Sequence, residues 1–550
     1  MNGLDPKNDI YKRFEGYAIP PKKNGDYAFL LHFIKSLKSN GKGCIVMPLG
    51  VLFRGNTEGE IRKQIIKRGY IKGIIGLPPN LFYGTGIAAC LIVIDKEDAE
   101  NRKHIFMIDA SKGFKKDGNK NRLREQDIHK IVDTFNSQTE IQKYSRLIPI
   151  TEIADPKNDY NLNIPRYIDS QEEEDIQDIE AHLLGGIPKR DIDALENYWQ
   201  VYPNLKNDLF KPIEGRPDYY ELKIAKDEIK NTIYNHSEFI AFGKQMEQVF
   251  EQWKTETIAY TKALDKGLRP KNEIHKISEN LLKHYDNKQL TDKYAMYQHL
   301  MDYWSPDGNE EAMQDDFYEI AADGWEAGKE VKRKEKKTKK GDKEIVKQIA
   351  GIEGLEGRLI PPALIIQEYF AEEQRAIEEL EAQAEALKTQ MQEMIDEHGG
   401  EDGLLANAID NKGKISKANL AKAIKELGKR NEDNADEFDM LAAYKKLMDE
   451  EANTQTNIKA AKAELEKKII AQYPKLSIDE IKTLVVEKKW MANMEQRIRT
   501  EMDNISHRLT QRIKELAERY ETPMPTLTKE VETLTAKVKQ HLQKMGFVWK

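Results

Sequence analysis

Two adjacent aromatics, Phe82 and Tyr83, lie inside the stretch Gly76 to Ile87, between two apolar runs that read as strands. An aromatic face at the rim of a pocket could stack against a flat ligand, such as a nucleobase extruded from a duplex. The same residues could equally be ordinary packing at a strand end, where aromatics are common. The neighbouring Gly84-Thr85-Gly86-Ile87-Ala88-Ala89 fits a loose G-x-G-x-x-A pattern. A phosphate-binding glycine loop has to follow a strand and open a helix, because the helix N-terminus supplies the amide donors. Here an apolar, strand-like run follows, so the motif reads as a turn and not as a cofactor loop. A second cluster, Arg54, Arg62 and Lys63 with Lys67 and Arg68, surrounds a predicted helix. Such a cluster could contact a phosphate backbone or form a solvated helix face.

Other chemistries leave no trace. The chain has no His-Glu-x-x-His, Cys-x-x-Cys, Walker or G-x-S-x-G element, and its eleven histidines are scattered. No metal site is expected. The two cysteines, Cys44 and Cys90, fall in apolar runs; two buried thiols fit a reducing, cytoplasmic setting. Residues 1–25 are polar, and no apolar run approaches the roughly 20 residues of a membrane span. A net charge of −7 argues against a protein coated in nucleic acid, while local basic patches stay possible.

The elements that would position these residues divide the 550-residue chain by texture into three regions. Residues 1–168 read as α/β. Asp26 to Lys38 predicts a helix with Phe29, Leu30, Phe33, Ile34 and Leu37 on one face. Cys44 to Met47 predicts a buried strand. Thr57, with Glu60 three residues on, predicts the cap of a second helix whose inner stripe is Ile61, Ile65 and Ile66. Strands follow at 70–77, 88–95 and 104–109, giving an α/β sheet with an antiparallel edge. Residues 169–370 read as mostly helical, broken at Gly185 to Pro188 and at Trp304 to Gly308. Within them Lys329 to Lys347 reads as a basic, solvated linker. Residues 371–550 read as long helices with heptad seams. One runs through Ile377, Leu380, Ala384, Leu387, Met391 and Met394, and another through Met502, Ile505, Leu509, Ile513, Leu516 and Tyr520. After Pro523 and Pro525 the pattern resumes at Val531, Leu534, Val538, Leu542 and Met545. These helices must pair with each other or with a partner.

Several blocks in residues 1–168 together resemble the second half of the methyltransferase domain of type I restriction–modification M subunits, which are adenine-specific DNA methyltransferases. They are Asp26 to His32, Pro48 to Gly55, Glu58 to Arg62, Gly76 to Ile87 and Asn161-Leu162-Asn163-Ile164-Pro165-Arg166-Tyr167. Tyr520 to Trp549 resembles the C-terminal helix of the same family. The resemblance implies α/β followed by α: the C-terminal half of a Rossmann-like sheet that binds S-adenosylmethionine, then a long helical, coiled-coil region. It also implies partners, namely DNA, the specificity subunit, the restriction subunit and a second M subunit.

The family's chemistry explains which groups are needed. The exocyclic amine of adenine is a poor nucleophile, because its lone pair is delocalised into the ring. The family localises that lone pair with an N-P-P-F/Y motif and stacks an aromatic on the flipped base. This sequence contains no N-P-P-F/Y; Leu77-Pro78-Pro79-Asn80 is a look-alike in another place. The family places both that motif and the cofactor's glycine loop ahead of the block matched by Asp26 to His32. The expectation is therefore an N-terminally truncated M subunit, inactive alone, with a separate polypeptide supplying the missing half. By position, the resemblance puts Phe29 near the cofactor's adenine and Phe82 against the target base. The alternative is a non-catalytic assembly protein that binds the specificity subunit.

Overall fold

The computed structural model describes residues 6–171, 176–306, 312–340, 343–410 and 412–547. They form two compact units interleaved along the chain. One comprises 1–251, 278–302 and 497–550, the other 252–277 and 303–496. This differs from the division by texture at 168 and 370, because helices distant in sequence pack into one core.

The first unit is built on a five-stranded mixed sheet in the order β1-β3-β2-β4-β7. The strands are β1 (Lys42–Pro48), β2 (Ile71–Gly76), β3 (Ala89–Asp95), β4 (His104–Asp109) and β7 (Ser145–Pro149). β2 and β4 run parallel, from Gly73 opposite Phe106 to Gly76 opposite Asp109. The pairs β1–β3, β2–β3 and β4–β7 are antiparallel. Alternation along the strands sends Ile74, Cys90, Ile92 and Met107 to one face and Ile75, Phe106 and Ile108 to the other. Helices α1 (Asp26–Ser36) and α2 (Asn56–Lys67) cover the first face with Leu30, Leu31, Ile34, Ile61 and Ile65. Helix α3 (Glu125–Ser137) brings Ile131 to the second. Burying both faces explains why β2 and β3 are almost continuously apolar.

Three sequence expectations need correction here. In α1 the buried stripe is Tyr27, Leu30, Leu31 and Ile34, and Phe29 is 69% exposed. At about 100° per residue, Phe29 falls roughly opposite Leu31, so it points away from the core. Phe33 stays half-buried because Gly43 on β1 leaves room for its ring; a Cβ there would lie 2.5 Å from the ring. Helix α2 begins at Asn56 after Gly55, and Thr57 lies inside its first turn without capping it. Cys44 is exposed and only Cys90 is buried. The reason is that β1 is an edge strand: it pairs with β3 on one side only among the described residues, and Val46 is 50% exposed.

The same unit holds a second, three-stranded sheet of Ile187–Pro188, Arg216–Leu222 and Phe210–Ile213, within a region that reads as mostly helical. Its last helix, Met524–Lys544, buries none of its residues, and Leu527, Val531, Leu534 and Val538 stay exposed along one stripe.

In the second unit, helix Ala371–His398 packs antiparallel against helix Ala435–Gln472. Lys468 pairs with Glu373 at 2.9 Å and Lys462 with Glu381 at 2.6 Å, so numbers rise on one helix as they fall on the other. Ile377, Ala384 and Leu387 are buried against Ile458, Leu465 and Ile469 along this pair. The basic run that reads as a linker is a β-hairpin, Glu335–Lys340 against Lys343–Gln348. The two residues left between its strands, Gly341 and Asp342, are a glycine–aspartate hairpin signature; they lie outside the described residues, as do Asp307 and Gly308 of the expected break.

Candidate functional site

The aromatic loop connects β2 to β3, where Gly76 faces Cys90. Its base is closed by Leu77 N–H donating to Ala89 O at 2.9 Å, and Leu49 N–H donates to Ala88 O at 3.1 Å. The tip turns on two residues in the left-handed region, Asn80 at φ 55° and Gly84 at φ 77°. Gly84 has open space around it, so glycine is needed there for its backbone freedom and not for lack of room. Across the tip, Asn80 N–H donates to Gly86 O at 3.3 Å and Ile87 N–H to Thr85 Oγ1 at 3.1 Å.

A short hairpin, β5 (Lys115–Asp117) and β6 (Lys120–Arg122), clamps this tip from the side. Lys120 Nζ donates to the carbonyls of Phe82 at 3.0 Å and Thr85 at 3.2 Å. Asn121 donates its side-chain amide to Pro79 O at 2.6 Å and its backbone amide to Asn80 O at 3.0 Å. Sequence reasoning passed over Lys120 and Asn121. The signal that could have found them is Gly118-Asn119, a two-residue hairpin turn signature directly before both residues.

With its backbone held this way, the loop presents Phe82 at 38% exposure and Tyr83 at 94%. Neither ring is packed as an ordinary strand-end aromatic would be, and Ile87 beside them is exposed as well. The arrangement is an apolar, aromatic ledge on a tethered loop, suited to receiving a flat, unsaturated ring by stacking.

The basic cluster resolves differently. Arg62 is 4% exposed. Its guanidinium donates to Tyr160 O at 2.8 Å, Arg54 O at 2.8 Å and Val51 O at 3.2 Å. The expected role for Arg62 in contacting a DNA backbone is therefore corrected: the guanidinium is buried and held on three carbonyls, out of reach of a phosphate at the surface. Arg54 bridges Asp26 on α1 and Glu58 on α2, with Nε 2.6 Å from Glu58 Oε2, so two carboxylates balance its charge. Lys63 is half-buried with its ammonium 5.2 Å from the Tyr160 ring centroid.

These contacts draw together blocks that are far apart in sequence. Tyr27 donates its hydroxyl to Val51 O at 2.6 Å, and burial pushes that hydroxyl's pKa up to about 12. Leu162 N–H donates to Leu52 O at 2.8 Å, and Tyr167 donates its hydroxyl to Asn161 O at 2.5 Å. Ile164 packs under Gly76, where a Cβ would come within 2.7 Å of its Cδ1. Asp26 to His32, Pro48 to Gly55, Glu58 to Arg62 and Asn161 to Tyr167 thus meet around one buried guanidinium, at the end of the sheet that carries the aromatic loop. No hydrogen bond or ring contact joins Phe29 to Phe82 or Tyr83 among the described residues.

Residues 5–176 match the N-6 DNA methylase family. The chain is 37% identical over 181 residues to the type I restriction enzyme MjaVII methylase subunit of Methanocaldococcus jannaschii, covering 32% of this chain and 30% of that one. It is 31% identical over 193 residues to the MpnII methylase subunit of Mycoplasma pneumoniae, covering 35% of each. A solved type I restriction-modification methyltransferase subunit from Streptococcus thermophilus is 44% identical over 29% of this chain and 33% of its own, with a TM-score of 0.27. The chain spans about a third of the length of these curated relatives.

The residues described do not by themselves make up a site for S-adenosylmethionine. Phe29 offers one exposed ring, and no strand with a glycine-lined turn into a helix stands before it among them. Among the described residues no group of three His, Cys, Asp or Glu side chains is placed to hold a metal ion. No helix among them is long and apolar enough to cross a membrane.

Proposed function

We propose that this chain is the M subunit of a type I restriction–modification system and contributes the target-base side of an adenine N6 methyltransferase. The observation that carries this is the exposed Phe82–Tyr83 ledge, held by Lys120 and Asn121 within the segment that matches N-6 DNA methylases. Phe82 stacks on the extruded adenine; such stacking contributes roughly 1–3 kcal/mol per base, and Tyr83 extends the surface. Phe29 lies toward the cofactor's adenine. S-adenosylmethionine supplies the methyl group when bound. The free edge of β1 supports this reading, because it leaves a place for a further strand. Lys63 and Arg54 line the DNA side; Arg62 does not.

The remaining partners follow from the same reading. The exposed stripe of Met524–Lys544 supplies a coiled-coil contact for the specificity subunit. The restriction subunit and a second M subunit join through that assembly, in the cytoplasm.

The test mixes this chain with a polypeptide carrying a glycine loop and an N-P-P-F/Y motif and with the specificity subunit, then measures labelled methyl transfer to duplex DNA. Transfer that falls at least tenfold with Phe82→Ala is expected. Transfer unaffected by Phe82→Ala and Tyr83→Ala together would sink the assignment. A second reading, a non-catalytic assembly protein, is favoured by the exposed apolar stripe of Met524–Lys544. It predicts capture of the specificity subunit with no methyl transfer in the completed mixture, and calorimetry showing no binding of S-adenosylmethionine.

A further inference from the structure

The last helix of the first unit, Met524–Lys544, is fastened just before its start and buries no residue along its length. Ahead of it Tyr520 is buried, Glu521 pairs with Lys226 at 2.5 Å, and a Cβ on Gly185 would come within 3.3 Å of Pro523 Cγ. Its 21 residues make about six turns. Six of them are β-branched: Thr526, Thr528, Val531, Thr533, Thr535 and Val538. Branching at Cβ restricts the side chain against the preceding turn and lowers helix propensity. Helices in proteins are held mostly by the packing of an apolar face, so this one calls for a cover that its own chain does not supply among the described residues.

The apolar face is a heptad seam. Leu527, Val531, Leu534 and Val538 follow at alternating spacings of four and three, all exposed, and Met524 and Met545 extend the seam at its two ends. Glu530 and Lys537 flank it, one position before each valine, and both are exposed and in no ion pair among the described residues. The charge along the helix is polarised. Its first half carries Glu530 and Glu532 with Lys529, while its second half carries Lys537, Lys539 and Lys544 and no acid.

A helix with this pattern complements itself when reversed. In an antiparallel pair the seam closes with Leu527 against Val538 of the second copy and Val531 against Leu534 of the second copy, each twice. That register sets Glu530 beside Lys537 of the second copy at two symmetric places. A slip of one heptad in one direction brings Lys537 against its own counterpart, and in the other direction Glu530 against its own, so like charges disfavour both. Parallel pairing in register leaves Glu530 beside Thr535 and gathers the lysines of both copies at one end. We infer that in the free chain this stripe is covered by the same stripe of a second copy, as an antiparallel helix pair bridged between Glu530 and Lys537. The inference does not rest on the methylation reading. The specificity subunit would compete for the stripe, and the pair is the state of the chain before that subunit arrives.

The test is sedimentation equilibrium of the whole chain from about 1 to 100 µM, the span in which a small interface passes from mostly dissociated to mostly formed. A monomer–dimer equilibrium is expected. Glu530→Lys alone, or Lys537→Glu alone, turns two attractive exposed pairs into two repulsive ones, so the Kd of the dimer rises on the order of tenfold. The chain carrying both reversals regains opposite charges at both places and returns to the wild-type Kd, which separates pairing from misfolding. An equal mixture of the two single variants forms a heterodimer, because each then meets the opposite charge at both positions. A chain that stays monomeric throughout, including one that associates only once the specificity subunit is added, would overturn the inference. So would a dimer indifferent to these reversals, which would place the contact elsewhere or make the pair parallel. Loss of methyl transfer in the reconstituted mixture, with the dimer and its charge response intact, would leave the inference standing and count against the methylation reading alone.

Discussion

Sequence and structure assign the buried guanidinium of Arg62 opposite roles. Arg62→Met keeps the aliphatic length and removes the charge. Of its three acceptors, Val51 O keeps the Tyr27 hydroxyl at 2.6 Å, whereas Tyr160 O and Arg54 O lose the bonds described here. Leaving a buried acceptor unpaired costs about 1–3 kcal/mol, so two cost roughly 2–6 kcal/mol. Against the ≈ 5–15 kcal/mol that holds a typical domain together, this is a large fraction. It corresponds to a fall in Tm on the order of 10 °C. Because the chain has two units, a single global transition is a poor gauge. Amide hydrogen exchange followed by mass spectrometry on 160–167, with thermal melting beside it, reports the affected segment. Loss of protection there is expected, while the slope of log affinity for duplex DNA against log salt stays unchanged. If Arg62 were instead a phosphate ligand, the variant would melt like the wild type and its salt slope would fall by about 0.9. That pair of results would refute the structural assignment.

Three further outcomes test other parts of the fold. Gly69→Ala is expected to cost several kcal/mol by thermal melting, because Gly69 sits at φ 66° and a Cβ there would lie 1.8 Å from Ala99 O. A thiol reagent should label exposed Cys44 at once and Cys90 only on unfolding, since burial and then the neighbouring Cys44 push the Cys90 thiol's pKa up to about 12; equal labelling rates in the native protein would contradict this. Val46→Lys should reduce self-association in light scattering with less than about 0.5 kcal/mol change in stability, because Val46 lies exposed on an edge strand.

Much of the sheet was legible in the letters. Strand 104–109 appears with the expected bounds, and those near 71–76 and 89–95 lie within a residue of them. Buried strands announce themselves as short apolar runs, and a helix's inner stripe such as Ile61, Ile65 and Ile66 follows from its period. The hairpin at 335–348 was misread because lysine carries a weak strand signal, and the Gly-Asp signature in its sequence was outweighed by the run of charge. What periodicity cannot report is which way a lone residue faces, or what its polar atoms meet. Phe29 left the core because the helix stripe is centred on Leu30, Leu31 and Ile34. Arg62 turned inward because Val51 O and Arg54 O of one segment and Tyr160 O of another converge there.

The chain by itself determined most of the first sheet's strands and the blocks that resemble a family, because short-range period, turn residues and motif order are written residue by residue. Only the tertiary structure decided that Phe82 and Tyr83 stand free on a clamped loop and that Arg62 is a structural post. These depend on burial and strand register, which arise when distant segments compete for the same space and the same hydrogen bonds.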